Sequence, residues 1–298
     1  MPTKAPKFGP PLTEHIPYVT KNVRLQCPKC LDWHVLNLVV DSGSNTTLLD
    51  EKRLCDRPLP RGLFSRSVAF PRTTIKVPEM RVPAARVLET LATAPQQANG
   101  VVRGIALDPF CAGIMDMRGA IPLFPSHVDG ILGTNALKGC ALRVSPTNRE
   151  VVVSRGPVPK NVVNDYVELR LDVTENPEKS SLGKLLFART SMGQLLVDTG
   201  NQSTMFCTSD NTLCEHGSRD LRLETKNASP GEMVYVKIDK AIRRRDPPGS
   251  LVAIGRSNPN IQAGGNIGIL LMRNSRFFSD VVMDLHKNRV FVKLADDK

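Results

Sequence analysis

Apolar residues along this chain come in short runs and two-residue alternations, broken by clusters of Gly, Pro, Asn, Asp and Ser. That is the pattern of strands and turns. Residues 23–26 and 35–40 read as two strands joined by Cys27-Pro28-Lys29-Cys30-Leu31-Asp32-Trp33. Residues 47–50 begin another strand or a short turn of helix. A hairpin is expected over residues 67–70 and 73–77, and short buried strands at Gly100-Val101-Val102 and residues 104–107. Residues 142–144 and 150–154 flank a turn at Pro146-Thr147-Asn148. Residues 166–173 alternate, with Val167, Leu169, Leu171 and Val173 on one face, as in one half-buried strand. Further strands are expected at 182–188, 193–197, 233–238 and 251–254, and a last hairpin over 281–294. Phe277-Phe278 suits a short helix before that hairpin.

Two of these strands run into the same kind of turn. Val39-Val40-Asp41-Ser42-Gly43-Ser44 is echoed by Leu196-Val197-Asp198-Thr199-Gly200-Asn201, an offset of 198 − 41 = 157 in a chain of 298 residues. A single Asp-Ser-Gly is an ordinary turn. Two copies, each behind an apolar strand and one in each half, are a different matter. Each has a second echo downstream. Ile131-Leu132-Gly133 corresponds to Ile269-Leu270-Leu271, offset 269 − 131 = 138, and Asn148-Arg149 to Asn288-Arg289, offset 288 − 148 = 140. The reading is an internal duplication. It predicts an all-β, two-lobed fold: an arm over residues 1–20, a first lobe over 21–156, a second over 157–298, and an active cleft between the lobes. Arg155-Gly156-Pro157-Val158-Pro159 is the linker, because Gly and Pro interrupt both ladders.

On these paired motifs, on Ile131-Leu132-Gly133 and on Val281-Val282-Met283-Asp284, the chain resembles the pepsin-like aspartic proteases over most of its length. Each half also resembles a retroviral-type protease subunit. The resemblance implies an aspartic endopeptidase with Asp41 and Asp198 as its catalytic pair. Two carboxylates at close range share one proton, so one serves as base toward a water and the other as acid toward the peptide carbonyl. Gly43 and Gly200 leave room in the tight loops and offer N–H groups to the carboxylates. The Ser42 and Thr199 hydroxyls are placed to bond the opposite loop's backbone. By the same resemblance, Ser44 would donate to the outer oxygen of Asp41, and Asn201 would take the matching place in the second loop. The chain departs from the family pattern at Asn201, at Leu271 where the supporting Gly would stand, and in having no Tyr between Tyr18 and Tyr166 for the flap, where Phe64 or Phe70 offers only a ring. The alternative is an inactive pseudo-protease that binds peptide or protein. The expected partner is a polypeptide in extended conformation, met by a monomer.

Composition narrows the remaining classes. The apolar fraction of 41% fits a globular chain, and no run reaches the ~18–20 apolar residues of a membrane span. The net charge of +11 permits acidic partners, but only 5% of residues are aromatic and none interleave with the basic ones, so no nucleic acid is expected. The tight basic run, residues 240–245, reads as a solvated loop ending at Pro247-Pro248-Gly249. The five histidines sit in no nucleophile motif, and phosphate or dinucleotide fingerprints are absent, so no cofactor is expected. Cys27, Cys30 and His34 have metal-ligand spacing, but no second Cys-x-x-Cys exists; Cys55 or another distant Cys would have to complete a site, and no metal is assigned. Residues 1–20, with five prolines, lack an apolar leader. The expectation is therefore cytoplasmic, or secreted or vacuolar if a leader precedes them.

Overall fold

The computed structural model describes residues 20–59, 63–70, 73–88, 104–120, 124–148, 150–174, 182–191, 193–200, 205–208, 220–226, 234–237, 240–243, 266–272 and 277–295. These residues are nearly all β. The first half contributes β1 (Thr20–Gln26), β2 (Trp33–Val40), β3 (Thr47–Asp50), β4 (Ser65–Phe70), β5 (Thr73–Val82), β6 (Ala85–Leu88), β7 (Gly104–Leu107), β8 (Phe110–Met115), β9 (Gly130–Leu132), β10 (Cys140–Ser145) and β11 (Glu150–Arg155). The second contributes β12 (Val167–Glu168), β13 (Leu171–Val173), β14 (Leu186–Thr190), β15 (Gly193–Asp198), β16 (Met205–Thr208), β17 (Asp220–Leu223), β18 (Val234–Lys237), β19 (Lys240–Arg243), β20 (Asn266–Leu271), β21 (Phe278–Asp284) and β22 (Arg289–Leu294). Helix among the described residues is limited to single turns: α1 (Met117–Ala120) and 3-10 turns at Glu51–Arg53 and Lys160–Val162. None is long and apolar enough to cross a membrane.

The strands of the described residues lie in three sheets, and two of these repeat one plan. The first-half sheet runs β4-β5-β8-β3-β9-β2-β1-β6-β7, and the second-half sheet runs β18-β17-β14-β15-β20-β16-β19 with β13 added to β14. In each, the strand that delivers an Asp pairs parallel with a downstream strand, β2 with β9 and β15 with β20. The strand that leaves the Asp turn then pairs antiparallel with that same downstream strand, β3 with β9 and β16 with β20. The duplication is thus visible in hydrogen-bond topology.

The third sheet, β11-β10-β21-β22-β12, is shared by the two halves. Its centre is the antiparallel pairing of β10 with β21, where Leu142 faces Met283 and Arg143 faces Val282. The offset of 140 sends Leu142 to Val282 (142 + 140) and Arg143 to Met283 (143 + 140). It therefore maps one of these pairs onto the other, so a local two-fold axis passes between them. The core follows from the alternation. In β1, Val23 and Leu25 are buried while Arg24 points outward, and Leu38, Val40, Leu132, Val197 and Leu270 are all buried on the strands that carry the Asp turns and on their parallel partners. Each fully buried Leu or Val stabilises by about 1.5–3 kcal/mol.

Three sequence expectations change. Residues 166–173 do not form one strand. Val167 and Glu168 pair with β22, Leu171 to Val173 pair with β14, and between them the backbone turns to bridge Leu169 to Thr225 and to give the Arg170 N–H to Glu224. The chain changes sheets here, so Leu169 is buried while Leu171 and Val173 are only half-buried. Phe278 opens strand β21 rather than a helix, because its backbone pairs with Leu294. Lys240 to Arg243 is not a loop but strand β19, parallel to β16. Residues 1–19, 100–102 and 251–254 lie outside the described residues.

Candidate active site

Each Asp turn is built by the residues that follow it. The Gly43 N–H donates to Asp41 Oδ1 at 2.8 Å, and the Gly200 N–H to Asp198 Oδ1 at 2.6 Å. Both are Asx turns that aim a carboxylate away from the end of its strand. Asp41 is further anchored by its own N–H to the Leu132 carbonyl at 3.1 Å, and the Asp198 carbonyl accepts from the Met272 N–H at 2.9 Å.

The two turns meet. The Ser42 hydroxyl donates to the Val197 carbonyl at 2.9 Å and accepts from the Thr199 N–H at 3.1 Å. Reciprocally, the Thr199 hydroxyl donates to the Val40 carbonyl at 2.7 Å and accepts from the Ser42 N–H at 3.0 Å. Ser42 and Thr199 are each only 1% exposed, so water does not compete for these four bonds. The glycines show how close the turns are. A Cβ on Gly43 would stand 2.5 Å from Asp198 Cγ, and one on Gly200 would stand 2.4 Å from Asp41 Cγ. Each carboxyl group thus lies against the glycine of the opposite turn. Asp198 is buried, and Asp41 is half-buried.

Behind the first turn stands a brace from the segment that starts at Ile131, expected there, whose side chains Thr134 and Asn135, with Thr47, the sequence did not single out. The Thr134 N–H and hydroxyl both donate to the Ser44 carbonyl, at 2.8 and 3.1 Å. The Thr47 hydroxyl accepts from the Gly133 N–H at 3.1 Å and donates to Asn135 Oδ1 at 2.8 Å, while the Asn135 amide reaches the Cys111 carbonyl at 2.6 Å. Gly133 has no space for a side chain, since a Cβ would be 2.6 Å from the Thr46 carbonyl carbon. Gly183, from the second half, gives its N–H to the Asn45 carbonyl at 2.8 Å. The signal for this brace was the Gly133-Thr134-Asn135 run directly after Ile131-Leu132.

Of the residues named from sequence, Asp41, Ser42, Gly43, Ser44, Asp198, Thr199 and Gly200 come together. Asn201 lies outside the described residues. The Ser44 hydroxyl donates to the Thr46 carbonyl at 2.7 Å. Leu271 pairs with Asp198 one step beyond the Val197–Leu270 pair, which matches the Val40–Leu132 pair of the first half; it therefore holds the register position of Gly133. Cys27, Cys30 and His34 lie at the opposite end of β2 from Asp41, where Cys30 Sγ is 3.9 Å from His34 Nε2. The hairpin β4–β5 exists where a flap was expected, with Phe64 beside it 87% exposed.

No family model and no curated protein matches this chain. Solved structures do. The basic 7S globulin from soybean is 10% identical and has a TM-score of 0.48, over 92% of this chain and 90% of that one. Conglutin gamma, a basic 7S globulin from lupine seeds, is 11% identical and also has a TM-score of 0.48, over the same shares.

The expected assignment to the pepsin-like aspartic proteases does not hold: no family model supports it. The physical reason is the brevity of the signal. A few residues of turn chemistry specify a local backbone shape, and that shape serves many chains.

Proposed function

We propose that the paired Asp turns bind an extended polypeptide and hydrolyse it with a water held between Asp41 and Asp198. The observation that supports this is the reciprocal packing of each carboxyl group on the opposite turn's glycine, braced by the Ser42–Thr199 bonds. One carboxylate takes a proton from the water as its oxygen bonds to the peptide carbonyl carbon. The other, protonated, gives its proton to the carbonyl oxygen. The resulting diol then collapses: the C–N bond breaks, the departing nitrogen takes the proton that the first carboxylate removed from water, and one diol hydroxyl returns a proton to the second carboxylate. The pair acts as one unit.

The test is cleavage of a mixed peptide library from acid to neutral pH by the wild type, Asp41→Asn and Asp198→Asn. Each single variant should lose nearly all activity, and the double variant should be little worse, because residues acting together are not additive. Robust cleavage by Asp198→Asn would eliminate the reading.

A second reading is favoured by Leu271, which stands where the first half has Gly133: the same site holds peptide without cutting it. Its signature is tight binding of a statine-type peptide mimic by the folded wild type, with no cleavage at any pH.

A further inference from the structure

The turn between β1 and β2 carries chemistry that the Asp pair does not use. Cys27, directly after β1, is fully buried. Its carbonyl accepts from the Leu31 N–H at 2.8 Å, and its N–H donates to the Asp32 carbonyl at 2.7 Å. This tight turn holds Leu31 at φ 65°, a left-handed conformation that costs a non-glycine residue about 1–2 kcal/mol. The turn presents Cys27 and Cys30 on one side. Cys55 arrives from the segment after β3, 28 positions from Cys27, with its Sγ 3.6 Å from Cys27 Sγ. The three sulfurs all lie within 4.8 Å of one another, and His34 Nε2 is 3.9 Å from Cys30 Sγ.

Three observations decide what this cluster is for. First, the spacing fits a metal. Zn–S bonds of about 2.3 Å in a tetrahedron put the sulfurs about 3.8 Å apart. Second, Cys27 and Cys30 have the Cys-x2-Cys spacing of zinc-binding turns, and the bond from the Leu31 N–H to the Cys27 carbonyl fixes the turn that carries them. Third, one disulfide among three thiols strands the remaining one, whereas a metal uses all three.

We propose that Cys27, Cys30, Cys55 and His34 form a closed structural zinc site. Four protein ligands leave no open position for a substrate or a reactive water. The site is also remote from the Asp pair. Seven residues of extended chain, at about 3.3 Å each, separate His34 from Asp41 by roughly 23 Å. Its role follows from the strands it joins: β2 leads into the first Asp turn, β3 leads out, and zinc ties the start of β2 to the segment after β3.

The test is metal binding by the full chain prepared under reducing conditions, with no peptidase readout. Metal analysis should find one equivalent of Zn²⁺. Co²⁺ added to metal-free protein should give the thiolate charge-transfer and d–d bands of a tetrahedral site, abolished by added Zn²⁺. Cys30→Ser and Cys55→Ser should lose these bands. His34→Ala should keep a cobalt–thiolate signal but bind at least about 10-fold more weakly, the scale set by disturbing a zinc site's supporting contacts. If the serine variants fail to fold, the wild-type cobalt titration decides alone. The proposal is overturned if metal-free wild type gives no thiolate bands with Co²⁺. It is equally overturned if Cys30→Ser and Cys55→Ser bind Co²⁺ unchanged, or if the freshly reduced protein re-forms a Cys27–Cys55 disulfide in preference to taking up Zn²⁺.

Discussion

Removing the Ser42 hydroxyl should loosen the contact between the two Asp turns at a cost that can be worked out atom by atom. Ser42→Ala takes away the partner of the Val197 carbonyl and of the Thr199 N–H, and the hydroxyl it deletes is 1% exposed. Each buried group left without its partner costs about 1–3 kcal/mol. With partial relaxation the sum is about 2–4 kcal/mol, a large share of the ~5–15 kcal/mol that holds a typical domain. Thr199→Val keeps the shape and strips the Val40 carbonyl and the Ser42 N–H, so it should cost about the same. The two sets of bonds share no atom but span one contact. Once the turns part, the second loss costs less, so the double variant should fall short of the sum by about 0.5–3 kcal/mol. Urea unfolding followed by fluorescence and circular dichroism measures all four proteins. A cost below about 0.5 kcal/mol for either single variant, or full additivity in the double, would refute the claim that the turns brace each other.

Other perturbations address other parts of the structure. Gly43→Ala drives a methyl to 2.5 Å from Asp198 Cγ and should move that carboxyl by about 1 Å; peptide cleavage should fall by about 10²-fold for a stability loss of about 1–3 kcal/mol. Gly139→Ala, at φ 77° with open space around it, should cost about 1–2 kcal/mol and leave cleavage unchanged. Glu168 is held below the ordinary carboxylate range first by its hydrogen bonds to Arg289, against burial, and then by Lys226. A depressed value means stability that is present above the unfolded carboxylate's value of about 4.3 and lost as pH falls through the folded one. Glu168→Gln should therefore flatten the acid limb of a pH–stability curve and cost about 1.5–3 kcal/mol at neutral pH. The Tyr166 phenol is pushed up to about 12 by burial and by its bond to Asp280. That contribution is intact below the unfolded value of about 10 and lost between about 10 and 12; a tyrosinate titration of Tyr166→Phe should lack the late step seen in the wild type.

The parts of this structure that were legible in the sequence are those whose physics is local. An Asp followed two residues later by Gly makes an Asx turn wherever an apolar strand ends, so the placement of Asp41 and Asp198 followed from their neighbours. Short apolar runs marked residues 23–26 and 142–144 as strands for the same reason, and they fall in β1 and β10. The parts that were not legible depend on long-range pairing. Nothing near residue 169 announces that the chain leaves one sheet for another there, because Val167, Leu169, Leu171 and Val173 keep the alternation across the break. Cys55 was one of several distant cysteines that could join Cys27, and nothing near it singles it out, because their approach depends on the path of β3 and the Glu51–Arg53 turn after it. The pairing of Glu168 with Arg289 joins residues 121 positions apart and depends on the sheet the halves share.

That sharing explains why two short motifs so far apart produce one site. Around a local two-fold axis a contact between the halves can be made twice. A hydroxyl on one turn that reaches the opposite carbonyl is answered by the opposite hydroxyl, which is why Ser42 and Thr199 play the same part despite different side chains. The same operation packs Gly43 on Asp198 and Gly200 on Asp41, so each turn supplies both a carboxyl group and the space for its partner's. It also pairs β10 with β21 about their centre, adding a continuous sheet to the contact made by the turns. The departure from symmetry falls behind the turns: Gly133 is pressed against Thr46, and the matching position in β20 is Leu271. The axis therefore accounts for the meeting of the two turns, and the unequal residues behind them are where the binding and cleaving readings part.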